Sequence, residues 1–191
     1  MTASRDELSK TYSKLARMLG SERLAFTHQE VNTENAARFL ALQGHPLHEL
    51  GRATLLLFAL ERLPSEEHVK FIDDLFMRGD SSEQEALLRT LSILPSPSRL
   101  LATAVEACRT NVQTVFEAIA SENPYPARYF PELNFNQLVM KALFINVSLW
   151  RIVGLSDRVT PALRGMASDH IKEWTAAGRS VHEDIELILN P

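Results

Sequence analysis

The sequence has little of several things, and each shortage closes off a class of function. Its 191 residues contain a single cysteine, Cys108, which excludes an intrachain disulfide and fits a reducing compartment. The seven glycines are scattered: neither GxGxxG nor GxxxxGK[ST] occurs to cradle a phosphate, and the nucleophile elbow GxSxG is missing too. Basic charge is not in surplus. Twenty Lys and Arg against 24 Asp and Glu leave a net charge of -4, the wrong sign for a dedicated nucleic-acid binder. No apolar run approaches the roughly 20 residues of a membrane span; "ATLLLFAL", Ala53 to Leu60, suits a helix buried on most sides. The opening "MTASRDELSK" carries charges where a signal peptide needs an apolar core, so the expected location is the cytoplasm, with no transmembrane segment. Finally, no run alternates β-branched and polar residues, so essentially all structure is expected to be helical.

What is present is ordinary for a globular chain: 45% hydrophobic and 23% charged residues, long enough for one domain with a sizeable core. Helical stripes are clear at Leu8, Tyr12, Leu15 and Leu19; at Val69, Ile72, Leu75 and Phe76; and at Val112, Val115, Phe116 and Ile119. Capping pairs mark starts at Ser4 with Glu7, Ser81 with Gln84, Thr110 with Gln113 and Ser180 with Glu183, where a side-chain oxygen accepts from an orphan first-turn amide. Thr160 before Pro161 is another start, and Gly20 and Gly79 with Asp80 mark stops. Helices are expected near 4–19, 22–30, 33–43, 50–62, 65–78, 81–94, 98–109, 111–121, 134–147, 160–177 and 181–189. The "LPS" of Leu63 to Ser65 recurs at Leu94 to Ser96, each time ahead of a closely linked helix pair, as in a stacked α-hairpin array. The expected fold is therefore an all-α, right-handed stack of antiparallel helix pairs, a HEAT- or armadillo-like α-solenoid in a single compact domain over 1–191. An irregular helical bundle is the alternative.

Few residues point to chemistry. "HPLHE" sets His45 and His48 three apart, but the spacing differs from HExxH and no cysteine pair supplies further ligands, so no metal is expected. Cys108 shares a stripe with Leu101, Ala104 and Val105 and reads as a small core hydrophobe; His170 reads as a hydrogen-bonded core histidine. Carboxylate neighbours such as Asp73 and Asp74 read as a solvated face rather than a catalytic pair. No cofactor is expected.

The most unusual stretch is "NPYPARYFPELNFNQLVMKALF", residues 123 to 144. Prolines at 124, 126 and 131 stiffen a connector that carries Asn123, Tyr125, Arg128 and Tyr129, a design that lowers the entropy cost of presenting them to a partner. Asn134 with Gln137 reads as a capping pair. Winding 134 to 147 at about 100° per residue puts Phe135, Leu138, Val139, Ala142 and Leu143 on one side with Asn146 in their midst. Lys141 and Asn146 must then find partners: either a structural network, with Lys141 on a carboxylate and Asn146 on backbone, or a polar ligand pocket. Candidate ligand- or partner-binding residues are thus Asn123, Tyr125, Arg128, Tyr129, Asn136 and Lys141, joined by Arg109 and Asn111 if consecutive hairpins stack in register. Arginine outnumbers lysine fifteen to five, and Arg109, Arg128, Arg151, Arg158, Arg164 and Arg179 crowd the C-terminal half, where planar pairing with carboxylate or phosphate competes with plain intrahelical ion pairing as the explanation.

Residues 78 to 144, with "RTNVQTVFEAIA", "NPYPARYFPE" and "FNQLVMKALF" as the densest matches, resemble the EboA family, and the tail "GLSDRVTPALRGMASDHIKEWTAAGRSVHEDI" continues the resemblance. Residues 1 to 60 share it only loosely. The resemblance implies an all-α protein encoded in a bacterial gene cluster for traffic or export of secondary-metabolite precursors, beside proteins that resemble hydrolases, a prenyltransferase and sugar-phosphate-type enzymes. It carries over no catalytic residue and no cofactor. The expected function is a non-catalytic helical adaptor or metabolite-binding protein whose partners are proteins of the same cluster or a small-molecule metabolite, without nucleic acid. The alternative is a small-molecule-modifying enzyme on a helical scaffold, using Lys141, Arg109 and Tyr129.

Overall fold

The computed structural model describes residues 5–20, 22 and 46–190. The helices expected near 22–30 and 33–43, the cap Ser4 and the histidine His45 lie outside the described residues. Among those described, α1 spans Arg5–Leu19, α2 Leu47–Arg62, α3 His68–Arg78, α4 Ser81–Thr90, α5 Leu101–Ala107, α6 Gln113–Ala120, α7 Tyr125–Tyr129, α8 Glu132–Phe144, α9 Pro161–Ala176 and α10 Glu186–Leu189, with short 3-10 turns between several of them and no strand. The chain divides into two units, Met1–Ala107 and Cys108–Pro191.

In the first unit α1 packs on α2, α2 and α3 on α4, and α5 on α3. Leu8 and Tyr12 of the first stripe, and Ile72, Leu75 and Phe76 of the second, are buried together with Leu56, Leu60, Phe71 and Leu87. Gly51 lies under the Leu19 side chain where α2 meets α1, and a Cβ there would have to displace the Leu19 Cδ1 methyl. Arg52, only 1% exposed, knits the helices from within. Its Nε donates to the Tyr12 carbonyl at 3.3 Å, its Nη1 to the Ser82 carbonyl and hydroxyl at 3.0 and 2.9 Å, and its Nη2 lies 3.9 Å from Glu83. The Tyr12 hydroxyl donates to the Glu83 carbonyl at 2.8 Å, so a charge that would be costly to bury alone is paired and hydrogen-bonded.

In the second unit α6 packs on α7 and α8, α8 on α9, and α9 on α10, around Val115, Phe116, Ile119, Tyr125, Phe135, Leu138, Val139, Leu143, Leu163 and Ile188. Thr160 caps α9 as expected, accepting from the Leu163 amide at 3.3 Å with Pro161 in the first turn. Three other starts shift. Asp80, one residue before Ser81, accepts from the Glu83 amide; Val112 precedes α6 with Thr110 turned back onto the Val112 amide; and His182, not Ser180, caps the last turn. A carboxylate outcompetes a hydroxyl as an amide acceptor when both are in reach, which accounts for Asp80.

The connector before α8 also differs. It winds into α7, since Pro124 and Pro126 occupy places at a helix start where an absent N–H costs nothing. Pro131 then opens α8 two residues earlier than Asn134 predicts, which leaves Asn134 inside the helix rather than capping it. At the other end α8 stops at Phe144. Asn146 takes the left-handed conformation, φ 57°, and the Val147 amide reaches back to the Ala142 carbonyl at 2.8 Å, a Schellman-type close. Asn146 is therefore exposed, not amid the apolar face.

Candidate functional site

The residues singled out around 123–144 separate into those that build the second unit and those that face solvent. Asn123 is buried; its Nδ2 donates to the Ala118 carbonyl and its Oδ1 accepts from the Tyr125 amide, both at 2.9 Å, so it joins the end of α6 to the start of α7. Tyr125 is fully buried, with Tyr129 tilted against it at 4.8 Å and Phe130 edge-on at 6.2 Å. Burial pushes the Tyr125 hydroxyl well above the usual phenol range. Lys141 is half-buried and donates to the carbonyls of Cys108 and Thr110, each at 2.6 Å, with its Nζ 5.0 Å from the Phe116 ring centre; it meets backbone, where a carboxylate was one expectation. Asn136 is 2% exposed, and its Oδ1 has no hydrogen-bond partner among the described residues. Arg128, Arg109 and Asn111 are exposed and Tyr129 half-buried.

Two arginines of this unit, Arg158 and Arg164, hold backbone carbonyls. Arg158 spans α7 and the turn after it, donating to the carbonyls of Ala127 at 2.6 Å and Phe130 at 2.8 Å while lying 4.6 Å over the Phe135 ring. Arg151 bonds Glu117 at 2.6 Å and Glu122 at 3.3 Å; the Glu117 hydrogen bond above all holds its guanidinium in the charged form. The thiol of Cys108 is pushed up to about 12 by burial, against the opposing pull of Lys141 and Arg109, so it is a poor nucleophile at neutral pH. His170 is half-buried and lies 4.7 Å from the Trp174 ring, on the flank of α9 rather than in the core.

A different place holds the open volume. In the first unit a groove of about 630 Å³ runs between α1 and α3, within the range of small-molecule sites, roughly 300–1,000 Å³. Along one wall the polar face of α1 presents Asp6, Ser9, Lys10, Ser13, Lys14 and Arg17, residues spaced so that a 3.6-residue helix aligns them. The other wall is the face of α3 with Lys70, Asp74 and Arg78, over a floor of Phe71, Leu75 and Gly79. Six cationic side chains, counting Arg5, meet three carboxylates there, counting Glu83. Arg5 is already engaged, 3.1 Å from Asp74 and 3.6 Å from Glu67, and Glu83 leans on Arg52. Gly79 has no room for a side chain, since a Cβ would sit 2.8 Å from the Leu75 carbonyl oxygen and 3.1 Å from Glu83.

None of the groove's cations is among the residues that the sequence pattern marks as candidates, and Asp74 reads there as part of a solvated face. The available signal was the distribution of lysine: three of the chain's five, Lys10, Lys14 and Lys70, line this one groove.

No group of three or more His, Cys, Asp or Glu among the described residues is placed to hold a metal. His48, the described half of the histidine pair, has its Nδ1 3.0 Å from the Gly20 carbonyl oxygen. No described helix is long and apolar enough to cross a membrane. Against models of protein families, residues 1–189 match the one described as metabolite traffic protein EboA. No curated protein and no solved structure matches the chain.

Proposed function

The chain belongs to the EboA family of metabolite traffic proteins, and from that premise we propose that it is a non-catalytic helical protein that holds a small metabolite and passes it on. The observation that carries the reading is the groove between α1 and α3: a concavity of metabolite size, about 630 Å³, whose polar groups suit holding a ligand rather than transforming one. Of the groups that the enzyme alternative names, Lys141 is committed to two carbonyls at 2.6 Å.

The second element of the proposal is the exposed rim of the 123–144 stretch. Exposed Arg128, Arg109 and Asn111 and half-buried Tyr129 are the side chains offered to a protein of the same bacterial gene cluster, while Asn123 and Lys141 fasten the backbone near them and Tyr125 and Asn136 are buried behind. A right-handed HEAT-like stack forming one domain, working in the cytoplasm in secondary-metabolite precursor traffic, completes the reading; the closely linked pair α3 and α4, packed on each other, supports the stacking.

Native mass spectrometry of the protein purified from cells that express its gene neighbourhood tests this. The expected result is a retained small molecule at one per chain whose mass does not change on incubation. Conversion of the retained molecule, or its absence at every expression condition, would overturn the proposal.

A further inference from the structure

We propose that the groove between α1 and α3 takes a small metabolite through a phosphate or diphosphate group. This rests on the reading that the groove is the ligand site, and it adds the ligand's chemistry.

The argument begins with charge left over. Among the described residues no hydrogen bond or ion pair engages Lys10, Lys14, Arg17, Lys70 or Arg78, whereas Arg5 is satisfied by Glu67 and Asp74. These five come from two helices, three along α1 and two along α3, so their charges converge on a shared space from both sides. The chain as a whole is at -4, so the groove is positive against its background, an arrangement that raises the local concentration of anions. Asp6 stands four residues before Lys10, and Asp74 four residues from both Lys70 and Arg78, so each wall carries a carboxylate, but cations outnumber carboxylates six to three in the groove. Here Lys10 and Lys14 are four apart and Lys14 and Arg17 three apart, like-charge spacings that weaken an isolated helix. A bound anion removes that repulsion.

The donors favour phosphate over a lone carboxylate. Three of the five are lysines, whose ammonium groups act as point charges without the planar fork that matches a carboxylate, while the forks of Arg17 and Arg78 match phosphate as well as carboxylate, and Ser9 and Ser13 add hydroxyl donors on the same wall. A phosphate brings close to two charges and three acceptor oxygens, enough to meet lysines on both walls at once. The size limits the rest of the ligand: about 630 Å³ holds a small metabolite but not a stretch of nucleic acid.

Titration calorimetry with inorganic pyrophosphate, inorganic phosphate and succinate, at low and high salt, is the test, alongside co-sedimentation with vesicles of phosphatidylglycerol and of phosphatidylcholine. Lys14→Gln with Lys70→Gln removes one cation from each wall, and Lys172→Gln, an exposed lysine paired with Asp169 in the second unit, is the control. Pyrophosphate should bind, weaken with salt, lose about tenfold or more in the double variant, and be unchanged in the control. Succinate binding as tightly as pyrophosphate overturns the phosphate class, as does sedimentation with phosphatidylglycerol vesicles without binding of free pyrophosphate, which identifies a lipid surface instead. If pyrophosphate does not bind but the molecule retained from cells is lost in the double variant, the phosphate inference falls and the groove remains the ligand site. If retention is indifferent to the double variant, both fall.

Discussion

Replacing Lys141 by methionine isolates the worth of one ammonium, because the methionine side chain keeps most of the apolar stem in place while deleting the charge. In the native protein that ammonium donates to the Cys108 and Thr110 carbonyls, both at 2.6 Å, and so fastens the turn before α6 to α8. A hydrogen bond from a charged donor is worth about 1.5–3 kcal/mol net. Lys141 is only half-buried, however, and water can reach the carbonyls once it is gone, so the pair together comes to about 2 kcal/mol. For a chain of this size, about 2–4 °C per kcal/mol converts that to a fall of about 4–8 °C in melting temperature. Differential scanning calorimetry on Lys141→Met measures it, with Arg128→Ala as the reference, since exposed Arg128 should change stability by less than about 0.5 kcal/mol. A Lys141→Met protein that melts within a degree of its parent refutes the structural assignment. One that melts normally yet no longer binds a partner or ligand returns Lys141 to the functional surface.

Three further outcomes follow from the same geometry. Arg158→Ala should cost about 2–4 kcal/mol in urea denaturation, because it orphans the Ala127 and Phe130 carbonyls and removes the cation over Phe135; a cost below about 1 kcal/mol would show that α7 is held by its own packing. Asn136→Leu should be neutral or stabilising by about 1 kcal/mol, since it replaces a buried amide whose oxygen has no partner among the described residues; a loss above about 2 kcal/mol would reveal a bound water or ligand on that oxygen. Stability should also decline at alkaline pH. Burial raises the pKa of Cys108 from 9.0 to about 12, so between those values the folded state holds a proton that the unfolded chain releases, and stability present below pH 9 is lost as the pH climbs. Buried Tyr12 and Tyr125, also raised, act in the same sense, and a melting temperature that is flat from pH 8 to 11 would contradict all three.

The helices were legible because the stripes that define them are the ones the structure buries: Leu8 with Tyr12, Ile72 with Leu75 and Phe76, Val115 with Phe116 and Ile119. Ends were less legible, for reasons specific to each. At Ser81 the neighbouring Asp80 was the better acceptor, and at α8 the pattern of Asn134 with Gln137 resembled a cap while Pro131 actually set the start. The helix within the connector was hidden by its prolines, which read as a stiff extended segment but occupy the first-turn positions that proline tolerates. Asn146 looked embedded only because the helical wheel was carried past Phe144, beyond the point where a left-handed residue had already closed the helix.

The candidate site illustrates a deeper limit. Sequence reasoning gave weight to polar groups in apolar surroundings, and that rule found Asn123, Asn136 and Lys141, groups whose burial is a fact of folding and whose partners, where they have them, are nearby carbonyls and amides. A ligand groove obeys the opposite rule. Its cations sit on polar faces, where each helix read alone is an ordinary solvated helix, and Lys14 and Lys70 are separated by more than fifty residues. What makes them a site is that α1 and α3 turn those faces toward one space while two of its three carboxylates are already engaged, Glu83 by Arg52 and Asp74 by Arg5. The buried Arg52 network thus does two jobs in the first unit: it satisfies a charge inside the helix packing, and by holding Glu83 it leaves the groove's cations without a partner from that side. Arg52→Met should on this reasoning free Glu83 toward the groove and weaken pyrophosphate binding even in the fraction that remains folded, an effect on a site that Arg52 itself does not line.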